Sequence, residues 1–519
     1  MLPEFRNESF GDFQNAERRS ALQQALRTVE AQCGQTYPLI IGGEQVTTDD
    51  TIASLNPANP RVVVGYAAKA DAALAKRAIE TADAAFATWR KVPVAARALV
   101  LLRTAAIMRR RRFELAAWLV YEVSKTWLEA DVDVAEAIDF CEFYARQALR
   151  LQGDPQPLTP YPGEYNELRY IPLGVGVAIP PWNFPLAIMA GITVAPVVAG
   201  NTMVLKPSSA APIIAAKFME ILIAAGLPPG VVNYLPCPGG SVGDLLVDHP
   251  RTRFITFTGS KEIGLRIAER AAIRQPGQHW LKRTVLEMGG KDAIVVDETA
   301  DLDAAAEGIV AAAFGFQGQK CSACSRAILV ESIYDAVLSR VIERARCLHV
   351  GNPADAESDM GAVIDKNAFT KITQYIALGQ QEGRIVLGSE NLNGSTSEGY
   401  FITPTIVADV APDARLAQEE IFGPVLTVIK ARDFDAALAI ANNTEYGLTG
   451  AIYSRDLTRI ERARDDFHVG NLYINRKCTG ALVGIHPFGG FNMSGTDSKA
   501  GGQDYLQLFT QAKAIAERL

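Results

Sequence analysis

From Leu173 onward the chain repeats a pattern that few architectures can satisfy: a short apolar run, a turn, then a helix-like stretch. VGVAIP, NTMVLKP, VVNYLP and FITFTGS are the apolar runs of a first series. Strands and helices alternating in this way imply a parallel sheet covered by helices. Beyond Glu287 a second series begins. It comprises DAIVVD, a helix over 301–316, RAILVE, a helix over 332–347, and later GPVLTVIK and GLTGAIYS. The pattern therefore predicts an α/β protein of two successive units, and at 519 residues the chain is too long for one core.

Ahead of Leu173 the texture differs. About the first 35 residues carry helical periodicity, YPLIIGGEQV reads as two short strands about a Gly-Gly turn, and NPANP at 56–60 as a turn. Two long amphipathic helices are expected across about 69–149. QGDPQPLTPYPGE, rich in Pro and Gly, then breaks the helical pattern and leads toward a projecting hairpin. The last 20 or so residues read as a terminal strand or arm. The basic run RRRR at 109–112 is a solvated helix face or, alternatively, a localisation signal. A formal net charge of -7 gives no electrostatic reason to expect nucleic acid or an anionic membrane as partner. No stretch approaches the ~20 apolar residues needed to span a bilayer, and the first residues lack a signal-type apolar core. Seven scattered cysteines suit a reducing compartment better than a disulfide framework, so a cytoplasmic location is expected.

Candidate chemistry lies in six places. QKCSACSR at 319–326 holds Cys321 behind a glycine-punctuated stretch, with Lys320 placed to favour a thiolate if its ammonium turns toward the sulfur. IPPWNFP at 179–185 ends an apolar run in fixed backbone, and Asn183 offers an amide donor to an oxyanion or, equally, a cap to the next helix. LKPSSAAP at 205–212 puts Lys206 at a strand's carboxyl end, where open α/β sheets bind nucleotides. FTGSKEIG at 257–264 runs from a strand through Gly259 and Ser260 into a helix whose N–H groups suit a pyrophosphate. LEMGGKDAIVV at 286–296 places Glu287 at a strand end, as a base that activates water against a thioester. QEEIFGPV at 418–425 brings Glu420 and Phe422 before a Gly-Pro turn, a carboxylate for ribose hydroxyls and a ring for a flat cofactor or, equally, a capping Glu and a core Phe. A competing reading takes Cys321 and Cys324 as a C-x-x-C redox or zinc module, with Cys347 and His349 as further ligands. C-x-H is a poor zinc spacing, however, and the C-x-x-C has no partner pair.

In this order PWNFP, LKP, FTGS, LEMGGK, GQKCS, EEIFGP and PFGGFNMSG (487–495) closely resemble the aldehyde dehydrogenase family, from about residue 37 to the C-terminus. The resemblance implies a Rossmann-like cofactor domain from 1–149 and 173–287, and a second α/β catalytic domain over 288–480. It also implies a β-type oligomerisation arm from 150–172 and 497–519, in a homo-oligomer built on a dimer. It makes Cys321 the nucleophile, Asn183 and the Cys321 N–H the oxyanion donors, and Glu287 the base for the deacylating water. NAD would be bound by Ile179, Pro180 and Trp182, by Lys206 and Ser209, by Gly259 and Ser260, and by Glu420 and Phe422. Many NAD-preferring relatives carry a Glu where this chain has Ser209; a carboxylate repels a 2′-phosphate and a serine does not, so NADP is expected to be tolerated. No resident metal is implied.

Three further stretches, at 124–147, 314–326 and 478–490, resemble the branch of that family that oxidises L-glutamate γ-semialdehyde. That resemblance implies that Ser322 and the N–H groups of Gly480 and Ala481 take the substrate carboxylate, while Phe184 and Phe488 sandwich its aliphatic stem. An aldehyde dehydrogenase of broader specificity is the alternative.

Overall fold

The computed structural model describes residues 2–153, 156–388 and 398–519. Two seven-stranded sheets dominate it. In the first, the central strand Val175–Ile179 lies parallel between Thr202–Leu205 and Thr252–Thr258. Val232–Tyr234 extends one side, and Arg283–Glu287 closes the other. Leu39–Ile41 and Glu44–Val46, the hairpin about Gly42 and Gly43, join antiparallel beyond Val232–Tyr234. The chain thus moves outward from Val175–Ile179, then crosses back to build the other half. The strand order reverses at Val175–Ile179 and Thr252–Thr258, and open α/β sheets form their ligand crevice at the carboxyl ends of such strands. Gly176 lets the Phe254 ring lie directly on the central strand, and Phe254 in turn meets Phe509 from the tail at 5.5 Å.

The second sheet runs in the order Arg384–Leu387, Thr405–Ala408, Val425–Ala431, Cys324–Val330, Asp292–Val296, Thr449–Tyr453 and Asn471–Ile474. Only its first pair is antiparallel. Its two faces carry separate apolar clusters, one under the helices Leu302–Phe314 and Tyr334–Arg346, the other under Lys366–Glu382 and Phe434–Asn442. Cys321 sits three residues ahead of Cys324–Val330, in the loop that returns from helix Leu302–Phe314.

Several expectations are corrected. The region 69–149 forms four helices, not two: Ala72–Trp89, Val94–Arg110, Arg112–Val123 and Trp127–Gln152. Pro93 occupies the cap before the second. Ser124 in the left-handed region (φ 60°) ends the third. NPANP is the tip of a hairpin whose strands, Thr51–Asn56 and Asn59–Ala68, hydrophobic periodicity did not reveal. Residues 109–112 are neither a free basic patch nor merely solvated. Arg109 pairs with Glu8 and Glu142 (2.6 and 2.8 Å), and Arg112 with Asp131 (2.6 Å), fastening the N-terminal segment to the helices.

The arm consists of Thr510–Arg518 paired antiparallel along Glu164–Pro172, with Gln156–Pro157 on the far side. Residues 497–509 do not belong to it: they pack back toward the first sheet, and Phe509 is fully buried there. Residues 154–155 of the expected hairpin lie outside the described residues. Among the described residues, no helix is long and apolar enough to cross a membrane.

Candidate active site

A cavity of about 940 Å³ opens where the first sheet reverses its order. The loop after Val175–Ile179 gives it Ile179, Pro180, Trp182 and Asn183, and the second unit closes it with Cys321, Glu420 and Phe422. Lys206 and Ser209 follow the next strand, and Gly259 and Ser260 follow Thr252–Thr258. Every cofactor residue expected from the sequence therefore borders one space, together with Cys321 and Asn183. Glu287, Phe184, Ser322, Gly480, Ala481 and Phe488 do not border it.

Prolines 180, 181 and 185 stiffen the loop that carries Asn183. The Asn183 side chain is buried and its Nδ2 donates to the Gln319 carbonyl at 3.0 Å. An amide NH2 has two donors, so one remains for a ligand oxygen. Asn183 does not cap the following helix, which starts at Ala187 without a side-chain cap. Gln319 is itself fixed, its Oε1 accepting from the Ile364 N–H at 3.0 Å. Just upstream, Phe316 and Gln317 are held at positive φ (51° and 55°), a conformation that costs energy for residues with a Cβ and persists only in a tightly packed setting.

Burial and the nearby carboxylates of Asp292, Glu287 and Glu420 push the Cys321 thiol well above the usual thiol range. Lys320 does not counter them: its ammonium turns to Glu129 at 3.6 Å, so the expected stabilisation of a thiolate is overturned by an acidic partner from helix Trp127–Gln152. The resting thiol is protonated and needs a base. Cys324 is buried and its thiol donates to the Arg326 carbonyl at 3.6 Å. Among the described residues no group of three or more His, Cys, Asp or Glu side chains converges as metal ligands would.

Glu287 ends its strand against a glycine-rich return of the chain. Its Oε1 accepts from Ser498 Oγ at 2.6 Å and its Oε2 from the Gly490 N–H at 3.3 Å. Burial outweighs both bonds and pushes the carboxyl up to about 8. A carboxyl in that range exchanges protons near neutrality, as a general base must.

The remaining cavity walls have the chemistry of a dinucleotide site. Lys206 is a buried cation whose single hydrogen-bond partner among the described residues is the Pro207 carbonyl at 3.2 Å. Ser260 caps helix Lys261–Ala272, whose first turn faces the cavity through Ile263. Glu420 Oε1 accepts from the Gly290 N–H at 2.9 Å, and a Cβ on Gly289 would stand 2.5 Å from that carboxylate. Phe422, at φ 62°, sets its ring perpendicular to Trp182 with centroids 5.5 Å apart.

Of the residues expected to choose the substrate, Phe184 and Ser322 lie in or against the segments flanking Cys321. Phe184 packs edge-on against Phe316 at 6.2 Å, and the buried Lys125 ammonium, paired with Asp133 at 3.2 Å, lies 3.8 Å from its ring centre. The Ser322 carbonyl accepts from Cys478 Sγ at 3.4 Å, which fixes the start of the 478–490 loop beside it. Gly480 adopts φ 81°, and Phe488 bridges to Ala500. Sequence reading missed Gln319 and Ser498 as supports. Ser498 stands 211 residues from the carboxylate it holds, and no local pattern announces such a contact.

A sequence model of the Aldehyde dehydrogenase family matches residues 45–515. The chain is 61% identical over 517 residues to a 1-pyrroline-5-carboxylate dehydrogenase of Geobacillus kaustophilus, covering all of both chains. Among solved structures, a Thermus 1-pyrroline-5-carboxylate dehydrogenase with bound NAD superposes with a TM-score of 0.98 at 56% identity, again over all of both chains. Proline utilization A from Bdellovibrio bacteriovorus reaches a TM-score of 0.97 at 43% identity, matching 99% of this chain and 53% of that one. With a family match across most of its length, the chain belongs to the aldehyde dehydrogenase family.

Proposed function

We infer that the chain oxidises L-glutamate γ-semialdehyde, the open form of 1-pyrroline-5-carboxylate, to L-glutamate with NAD. The observation that carries this reading is the meeting of Cys321 and the Gln319-anchored Asn183 amide in one cavity whose other walls suit a dinucleotide.

The Cys321 thiol loses its proton to a water molecule as the sulfur attacks the aldehyde carbon, giving a thiohemiacetal. Negative charge grows on the former carbonyl oxygen, and the free Asn183 N–H and the Cys321 backbone N–H receive it. Each such donor is worth on the order of 10²–10³ in rate. NAD, when bound, supplies the hydride acceptor at its nicotinamide, and a thioester on Cys321 remains. Glu287 then takes a proton from water as that water attacks the thioester and releases the acid. Lys206 and Glu420 hold the two riboses, Gly259, Ser260 and the helix behind them the pyrophosphate. Ile179, Pro180, Trp182 and Phe422 shape the walls around the bases. Ser322 with the Gly480 and Ala481 N–H groups takes the substrate carboxylate, and Phe184 with Phe488 the stem.

Ser209 sits exposed beside Lys206, and no carboxylate stands there to repel a 2′-phosphate. NADP is therefore expected to support turnover at a fraction of the NAD rate. Ser209→Glu is expected to cut kcat/KM for NADP by about 10²-fold through like-charge repulsion, with NAD little changed. Equal effects on both nucleotides would remove Ser209 from cofactor selection.

The nine-residue pairing of Thr510–Arg518 leaves a long open strand edge, and exposed Tyr161 and Tyr165 lie on the same arm. These features support a homo-oligomer built on a dimer. The seven cysteines are all unpaired, as a reducing compartment such as the cytoplasm favours.

The test of the substrate is nucleotide reduction with L-glutamate γ-semialdehyde, propanal and succinic semialdehyde in parallel. A kcat/KM at least ~10²-fold higher for the first is expected, because polar groups built for an amino-acid head go unpaired with the others. Comparable values for propanal would overturn the substrate and leave the aldehyde chemistry standing.

A further inference from the structure

We propose that Arg476 is a positioning residue for substrate choice: it turns two backbone N–H groups of the 478–490 loop toward the carboxylate of an amino-acid aldehyde. The inference rests on the substrate reading above and says what sets the loop that reading uses. Arg476 Nη2 donates to the Thr479 carbonyl at 3.0 Å and to the Gly480 carbonyl at 3.1 Å. In a trans peptide the C=O of one residue and the N–H of the next point in opposite directions. With both carbonyls turned onto one guanidinium, the N–H groups of Gly480 and Ala481 are turned together to the other face.

Successive N–H groups sharing a face form an anion-binding concavity, and the positive φ of Gly480 (81°) allows two adjacent peptides that arrangement. Neither N–H has a hydrogen-bond partner among the described residues. Cys478 Sγ, bonded to the Ser322 carbonyl at 3.4 Å, holds the start of this loop beside the residue that follows the nucleophile.

Arg476 is well held for such a task. It follows strand Asn471–Ile474, its guanidinium lies 4.5 Å from the Tyr473 ring centre, and Nη1 is 3.3 Å from His486 Nε2. Burial and the charge of Arg476 push the His486 pKa down, so the contact does not add a second cation to the clamp. Arg476 also places a fixed positive charge behind the two peptide dipoles, in the orientation that strengthens their N–H ends. Lysine has neither the planar fork nor the stacking surface to reproduce all four contacts.

The experiment compares wild type, Arg476→Ala and Arg476→Lys on L-glutamate γ-semialdehyde and on propanal, with L-glutamate as an inhibitor of propanal oxidation. In the alanine variant KM for the semialdehyde and Ki for L-glutamate are expected to rise together by about tenfold or more, as for lost charge-assisted bonding. Its kcat is expected to stay within about threefold and propanal oxidation near wild type, with Arg476→Lys intermediate. Unchanged KM and Ki, in an enzyme that still prefers the semialdehyde, would overturn the role of Arg476 alone. An equal loss on propanal would mark a general collapse of the loop and also overturn it. A wild type without preference for the semialdehyde would overturn the substrate reading and this inference with it.

Discussion

Cys321→Ala is expected to abolish aldehyde oxidation, lowering kcat by on the order of 10⁴-fold or more, because no second thiol lines the cavity among the described residues. Cys324, the nearest alternative thiol in sequence, is buried and donates to the Arg326 carbonyl. Cys321 is only partly buried, and removing one sulfur there leaves the fold and the cavity walls intact. Dinucleotide affinity, read from quenching of Trp182 fluorescence, should change little. Nucleotide reduction by the purified variant is the measurement. Residual turnover above about one part in a hundred would mean that another residue carries the covalent step.

Glu287→Gln is expected to separate the two halves of the reaction. Glutamine keeps the size and the Ser498 contact but cannot take a proton from water, so a first turnover of reduced nucleotide should appear at close to the wild-type rate. Steady-state turnover should then fall by about 10²–10⁴-fold. Rapid mixing checks this: loss of the burst along with the steady state would place Glu287 before the thioester. The same carboxyl fixes the pH dependence. Burial pushes it up to about 8, and as the proposed base it acts ionised, so kcat is expected to rise with pH through about 8 and level off above it. Ser498 donates to the ionised carboxylate and stabilises it, so Ser498→Ala should move that midpoint upward, and Glu287→Gln should flatten the profile.

Much of this was legible in the sequence because α/β sheets write themselves as short apolar runs at fixed intervals. Each run from VGVAI to GAIYS is a strand of one of the two sheets, and Lys206, Ser260 and Glu287 lie at strand ends as expected. The hairpin strands Thr51–Asn56 and Asn59–Ala68 were not legible. They are partly exposed and flanked by polar residues, so their pattern lacks a clean period. The helices across 69–149 were read as two because continuous amphipathic periodicity hides short breaks, such as the single left-handed residue Ser124.

In the site, residue types foretold the chemistry but not its orientation. Lys320 beside Cys321 suggested a thiolate, and only the third dimension reveals that Glu129 takes its charge. In the sequence Asn183 leaves capping and oxyanion binding equally open; the structure removes only the cap, since the next helix starts without one and the amide turns to the Gln319 carbonyl. Arg476 gave no signal at all, because a clamp on two carbonyls depends on how the loop folds back.

In the proposed reaction Cys321 carries the γ-glutamyl group of the substrate between attack and hydrolysis. The most direct test of this is the mass of the Cys321 peptide from Glu287→Gln, quenched in acid during turnover of L-glutamate γ-semialdehyde with NAD. The expected result is a γ-glutamyl thioester on Cys321, discharged by hydroxylamine and absent when NAD is omitted. An unmodified Cys321 in an enzyme that has completed its burst, or the acyl group on any other residue, would contradict it.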